Sequence, residues 1–202
     1  MKTVALATLV CCLALTIPAT ANTIDFSNVG GTLSGSTAGL RLSGSTLVAV
    51  IGLNGGGTIN GNLGSVTFST GALASGTLAM GGTFAAGGTF TITGNGSNGV
   101  PNGVLFSGTF SGPVTKTVTT LAGGTHNYML TGVLTGMFGG ANVNAVSVQL
   151  TANTGKAFFT DSVQISGGDT TISSVPEPST LALFATGAVS MVGFMRRKLS
   201  VR

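Results

Sequence analysis

Apolar and polar residues alternate along most of the chain between residues 22 and 174. Successive side chains of a β-strand point to opposite faces, so an apolar period of two predicts strands with one buried face. The period of 3.6 that an amphipathic helix requires is less frequent, and no convincing helix is predicted. The predicted strands contain Ile24–Phe26, Leu40–Leu42, Leu47–Ile51, Val66–Phe68, Phe90–Ile92, Val114–Thr120, Val146–Leu150 and Val163–Ile165.

Glycine and asparagine separate these segments at short intervals. Asn-Gly pairs favour the positive φ angles of tight hairpin turns. We therefore predict an all-β fold, an antiparallel β-sandwich of Gly/Thr-rich hairpins with roughly eight to twelve strands. The alternative is a β-solenoid, because Gly-Gly-Thr-Phe occurs at Gly81–Phe84 and again at Gly87–Phe90. The predicted Asn-Gly turns are at residues 54–55, 60–61, 95–96, 98–99 and 102–103.

The last part of the chain has a different pattern. A run from residue 179 to about 195 carries no charge, and as a helix it would span about 25 Å, enough for a short transmembrane helix. Prolines keep the residues before it extended, as a protease requires. The cations after it hold their end in the cytoplasm, which leaves the preceding domain outside. The flanking residues are Val175, Pro176, Glu177, Pro178, Ser179 and Thr180 on one side and Arg196, Arg197 and Lys198 on the other.

This order of a Pro-Glu-Pro motif, an apolar run and a basic end resembles the PEP-CTERM sorting signal of Gram-negative bacteria. The resemblance covers residues 175–198 and implies that the membrane protease exosortase recognises the motif at residues 175–180. It also implies transient anchoring in the inner membrane, with the domain on the periplasmic side, before transfer to the cell surface or the extracellular space. Association with exopolysaccharide and biofilm follows from the same resemblance.

The N-terminus supports the same route of export. Met1-Lys2 provides a positive start, Thr3–Ile17 is uncharged, and Ala19 and Ala21 form the small-x-small pattern that signal peptidase recognises. We therefore expect a signal peptide at residues 1–21, an exported β domain at residues 22–174 and a sorting tail at residues 175–202. Both cysteines of the chain lie in the predicted signal peptide, so the mature domain is expected to contain neither a disulfide nor a cysteine metal ligand.

The charge of the predicted domain differs from that of the whole chain. The chain has a formal net charge of +4, but between Asn22 and Pro178 it has three basic and four acidic residues. A nucleic-acid partner requires clustered Lys and Arg, so none is predicted. Edge strands without Lys or Glu can pair with another chain, and self-association is therefore a hypothesis.

The sequence contains few of the residues that build catalytic sites. His126 is the single histidine, and we expect it to be solvated in the turn before Tyr128. The residues Gly94–Gly99 match the letters of the dinucleotide fingerprint, but no helix is predicted after them. We predict no catalytic, cofactor-binding or metal-binding residue and no cofactor, and we expect that the protein is not an enzyme.

The sequence is compatible with three functions. The first is an exported structural protein of the cell surface or of an exopolysaccharide or biofilm matrix. The second is a carbohydrate-binding or adhesive β-sandwich module, although the chain has no Trp and a single Tyr for stacking on sugar rings. The third is a secreted hydrolase, which the shortage of His, Glu and Cys disfavours.

Overall fold

The computed structural model describes residues 22–174, which form one compact unit. The predicted signal peptide at residues 1–21 and the predicted sorting tail at residues 175–202, with its transmembrane helix, lie outside the described residues. Within residues 22–174 the chain forms a short 3₁₀ turn at Leu53–Gly55 and twelve strands. The strands are Asn22–Val29 (β1), Thr32–Ser36 (β2), Gly39–Ile51 (β3), Thr58–Ser69 (β4), Leu73–Thr77 (β5), Gly81–Phe84 (β6), Gly87–Asn95 (β7), Asn102–Phe110 (β8), Val114–Thr120 (β9), His126–Phe138 (β10), Ala141–Asn153 (β11) and Ser162–Ser174 (β12).

The twelve strands combine into eight long, antiparallel strands. β1 and β2 lie end to end between β3 and β12. β6 with β7 and β8 with β9 combine in the same way. β4 and β5 also lie end to end, along β7 and β6, but only β4 pairs with β3 on its other side. Each long strand pairs with the next one along the chain, and β12 returns to pair with β1, where Ser174 lies opposite Asn22. The sheet therefore closes on itself as a ring.

The all-β, antiparallel prediction is confirmed, and no solenoid is formed by residues 22–174. The two Gly-Gly-Thr-Phe segments lie in β6 and at the start of β7. They follow each other along one long strand and do not stack as successive coils. Residues 22–174 contain no helical segment with the length and hydrophobicity of a membrane span.

The break between β1 and β2 is made by Gly30 and Gly31, with φ angles of +64° and +84°. A Cβ atom on Gly31 would lie 2.6 Å from the backbone nitrogen of Ser45, whereas one on Gly30 would meet nothing within 4 Å. Only glycine fits at Gly31, because both its φ angle and the close approach of β3 exclude a side chain. The kink allows one long strand to follow both neighbours around the curved sheet.

The Asn-Gly predictions are partly confirmed. Asn54 and Asn98 adopt positive φ angles in the turns before β4 and β8, and Asn95 ends β7 at the start of the second of these turns. The prediction is wrong for residues 60–61 and 102–103, which lie inside β4 and β8. Gly61 and Gly103 have φ angles of +140° and +106°, and the register of β4 against β3 and of β8 against β7 shifts near them. At these two positions the glycines adopt positive φ angles within irregular strands and do not form turns.

The interior of the ring is filled by the apolar residues that the alternation predicts. Four phenylalanines, Phe68, Phe90, Phe106 and Phe110, form a cluster with ring centroids 5.9 to 6.2 Å apart. Burial of each such side chain contributes roughly 1.5–3 kcal/mol to stability. A cavity between Leu33, Lys116 and Leu150 measures about 10 Å³, which is about the volume that one water needs. This cavity is therefore too small for a ligand larger than a water molecule.

Candidate functional site

Lys116 is a buried amine at an inward-facing position of β9. The strand alternates between buried and exposed residues, and Lys116 lies two positions after the buried Val114, with 2% of its surface exposed. Its Nζ lies 3.9 Å from the ring centroid of Phe159 and 4.5 Å from that of Tyr128. It also donates a hydrogen bond to the carbonyl of Leu78 in the turn between β5 and β6. The amine is thus held by two aromatic faces and one backbone carbonyl.

The surroundings of Lys116 connect two loops to the ring. The hydroxyl of Tyr128 donates to the carbonyl of Ala79 at 2.6 Å and accepts a bond from the backbone N–H of Phe159 at 3.0 Å. Burial lowers the pKa of Lys116 from 10.5 to about 8, because desolvation disfavours the charged form. A lowered pKa would suit a nucleophilic lysine, but the adjoining cavity of about 10 Å³ leaves no room for a substrate.

His126 begins β10 and is buried, with 7% of its surface exposed. Its Nδ1 lies 3.0 Å from the hydroxyl of Thr120, and its ring stacks on Phe158 with centroids 4.1 Å apart. The prediction that His126 is solvated in a turn is therefore wrong, because the loop after β11 places Phe158 over the ring. That contact joins residues far apart in sequence, and no local pattern reports it.

The carboxylates of the domain are bonded to groups other than His126. Asp161 accepts bonds from the hydroxyl of Thr160 and the backbone N–H of Ser162, and Asp169 accepts one from the hydroxyl of Ser27 at 2.7 Å. Within residues 22–174, no group of three or more His, Cys, Asp or Glu side chains could hold a metal ion.

A groove that contains several polar side chains lies on the outer face of β9 to β12. Its volume is about 540 Å³, within the roughly 300–1,000 Å³ of small-molecule sites. In the predicted strand Val146–Leu150 the apolar residues alternate with Ser147 and Gln149, so these two lie on its polar face. The sequence contained no information on which strands lie beside β11. The polar lining includes Thr115, Thr131, Ser147, Gln149, Asp169 and Thr171.

The residues predicted to direct sorting and processing lie outside the described residues. These are the motif Val175, Pro176, Glu177, Pro178, Ser179 and Thr180, the basic residues Arg196, Arg197 and Lys198, and the signal peptidase site at Ala19 and Ala21. Their individual roles stay predictions.

Comparison with known proteins identifies the C-terminal segment. The family model of the PEP-CTERM protein-sorting motif matches residues 174–198, a range that includes the Pro-Glu-Pro motif and the three basic residues. No curated protein and no solved structure matches the chain. The motif supports an exported protein that undergoes membrane-anchored sorting and processing by exosortase in Gram-negative bacteria. The chain is a protein that carries the PEP-CTERM protein-sorting motif at its C-terminal end.

Proposed function

We propose that the protein, once sorted, is a structural component of the cell surface or of the exopolysaccharide or biofilm matrix, and that it is not an enzyme. The sorting motif at residues 174–198 is the observation that carries the proposal. The closed sheet with its filled interior supports it, since such a domain presents its outer face and not an internal site.

The route to that destination follows from the two ends of the chain. Signal peptidase removes residues 1–21, and the helix at about residues 179–195 then anchors the domain on the periplasmic side of the inner membrane. Exosortase recognises the motif at residues 175–180, and processing within the tail releases the domain toward the surface.

The outer surface suits a neutral, hydrated environment. Residues 22–174 contain three basic and three acidic residues, and the outward positions of β9 and β12 are mostly Thr and Ser. Hydroxyl groups both donate and accept hydrogen bonds, so this surface can contact a polysaccharide gel without a counter-charge. The lack of clustered Lys and Arg disfavours nucleic acid as a partner.

Self-association is part of the proposal. Among the described strands β5 pairs with β6 on one side only, its last four residues are exposed, and it carries no charged residue. An uncharged edge strand can add a strand from a second molecule. Copies joined through β5 would give a matrix protein more than one point of attachment.

The alternative of a secreted hydrolase has little support from the geometry. His126 has a threonine hydroxyl as its partner and a phenylalanine over its ring, and the amine of Lys116 is enclosed. The carbohydrate-binding alternative has a specific observation in its favour, the groove on the outer face of β9 to β12.

The matrix role is tested by deleting the gene and separating the cells from their extracellular matrix. We expect the protein in the matrix or surface fraction of the parent strain, and a weaker or less cohesive matrix in the deletion strain. Re-expression of the full chain with His126→Ala should restore the matrix, because no chemistry of the imidazole is involved. An intact matrix in the deletion strain, or loss of rescue in the His126→Ala strain with the protein still abundant, would contradict the proposal.

A further inference from the structure

We infer that the groove on the outer face of β9 to β12 binds a neutral, hydroxyl-rich glycan chain. The inference rests on the proposed function, because a protein delivered to the surface meets polysaccharide there, and it assigns a site to that contact. The groove has a volume of about 540 Å³ and is lined by four neighbouring strands, with hydroxyl, amide and carboxylate groups set in a surface that is otherwise apolar.

The strand register aligns the polar side chains of the groove in a row across the sheet. Thr131 lies opposite Thr115 on one side and opposite Gln149 on the other, and Gln149 lies opposite Asp169. Asp169 in turn lies opposite Ser27 of β1. Neighbouring strands are about 4.8 Å apart, which is close to the length of one hexose unit in an extended glycan. A glycan lying across the strands would therefore meet one polar side chain per sugar unit.

The lining has the chemistry that sugar hydroxyls require. Threonine hydroxyls and the glutamine amide each donate and accept hydrogen bonds, as sugar hydroxyls do. Pro113 and Val133 add apolar surface at the groove, and Val133 is 45% exposed. These two side chains provide contacts for the C–H faces of sugar rings in place of an aromatic platform.

Charge selects a neutral glycan over an anionic one. Asp169 is the charged residue of the groove lining, and no lysine or arginine of the described residues lines it. Asp25 lies next to the groove on β1, where it accepts a hydrogen bond from Thr171 at 2.7 Å. Two carboxylates at this edge repel a polyuronate or a nucleic acid.

An extended peptide is a poorer fit to the same groove. Peptides that bind to sheets pair with an exposed strand edge through backbone hydrogen bonds. Thr131 and Gln149 each lie in strands that are paired on both sides at these positions. Only side chains are available for recognition, which favours a ligand rich in hydroxyl groups.

The test uses the chain expressed in a host without exosortase and solubilised from the membranes of that host, with three immobilised probes: cellohexaose, the neutral polysaccharide fraction of the producing cells, and polygalacturonate. The double variant Thr131→Val with Gln149→Leu removes two hydrogen-bonding groups from the centre of the groove. The matched control is Thr67→Val with Thr91→Val, a cross-strand pair on β4 and β7 outside the groove.

We expect the parent chain and the control to bind at least one neutral probe more tightly than polygalacturonate. The groove variant should bind that probe about tenfold or more weakly, since each lost hydrogen bond costs roughly 0.5–1.5 kcal/mol. Equal binding by the groove variant and the control overturns the site, and so does the absence of binding to both neutral probes. Either result leaves the matrix proposal standing if the protein still fractionates with the matrix, so the two failures are distinguishable.

Discussion

Replacement of Lys116 by methionine is expected to stabilise the protein at neutral pH and to remove a specific dependence of stability on pH. In the folded protein the pKa of Lys116 is lowered from 10.5 to about 8 by burial. A shift of this size corresponds to about 3 kcal/mol of preference for the neutral amine. At pH 7 the folded protein therefore contains a charged amine at a cost that the unfolded chain does not have.

The sign of the pH dependence follows from this difference in pKa. Between about pH 8 and 10.5 the folded protein releases a proton that the unfolded chain retains, so the free energy of unfolding rises with pH in this window. We expect Lys116 to contribute a rise of about 1 kcal/mol between pH 7 and pH 9. The contacts with Phe159 and Tyr128 favour the charged form by about 0.5–2 kcal/mol, which limits the gain from the methionine variant at pH 7 to about 1–2 kcal/mol.

The assay is urea unfolding of the parent chain and the Lys116→Met variant at pH 7, 8, 9 and 10. The variant should be more stable at pH 7, and the difference between the two proteins should shrink as the pH rises. Lys156→Met serves as the control, because Lys156 is exposed in the loop after β11. A difference between parent and Lys116→Met that stays constant from pH 7 to 10 would refute the assignment of a lowered pKa to this amine.

Three further predictions concern the fold and its edge. Gly31→Ala should lower the free energy of unfolding by more than about 2 kcal/mol, whereas Gly30→Ala should lower it by about 1 kcal/mol. Both residues have a positive φ angle, but only a side chain at Gly31 would also clash with the backbone of β3. Equal losses of the two variants in thermal unfolding would argue against the close approach of β3 to Gly31. Phe106→Ala should cost about 3–5 kcal/mol by urea unfolding, and a loss below about 1 kcal/mol would mean that the aromatic cluster is not tightly packed. Ser75→Lys on β5 should lower the oligomer fraction in sedimentation velocity, whereas Thr67→Lys should not; an unchanged distribution for Ser75→Lys would exclude this edge as the contact.

The alternation of apolar and polar residues was sufficient to predict the strands. Every second residue of a strand points to the buried face, and this does not depend on which strand lies beside it. The segment Val146–Leu150 is an example, and it lies in β11. Asn54-Gly55 forms the predicted turn, but Asn60-Gly61 continues a strand, since pairing with β3 on both sides of Gly61 overrides the local preference. Turn signals are local, whereas strand continuity is decided by long-range pairing.

The candidate sites could not be predicted from sequence for a related reason. The alternation around Val114 places Lys116 on the inner face, but its burial depends on Tyr128 and on Phe159 from a distant loop. The outer groove depends on the order in which β9 to β12 lie side by side. In contrast, the sorting motif is a contiguous segment with a fixed order of residue types, so the sequence alone was sufficient to identify it.

The most direct test of the account is the location and mass of the protein after Pro176, Glu177 and Pro178 are all replaced by alanine. The parent chain is expected outside the inner membrane, at a mass that has lost the C-terminal segment. The triple variant should stay in the inner-membrane fraction with its C-terminal helix attached, and a Ser200→Ala control should behave like the parent. Release of the triple variant with the same mass as the parent would contradict sorting by exosortase through this motif.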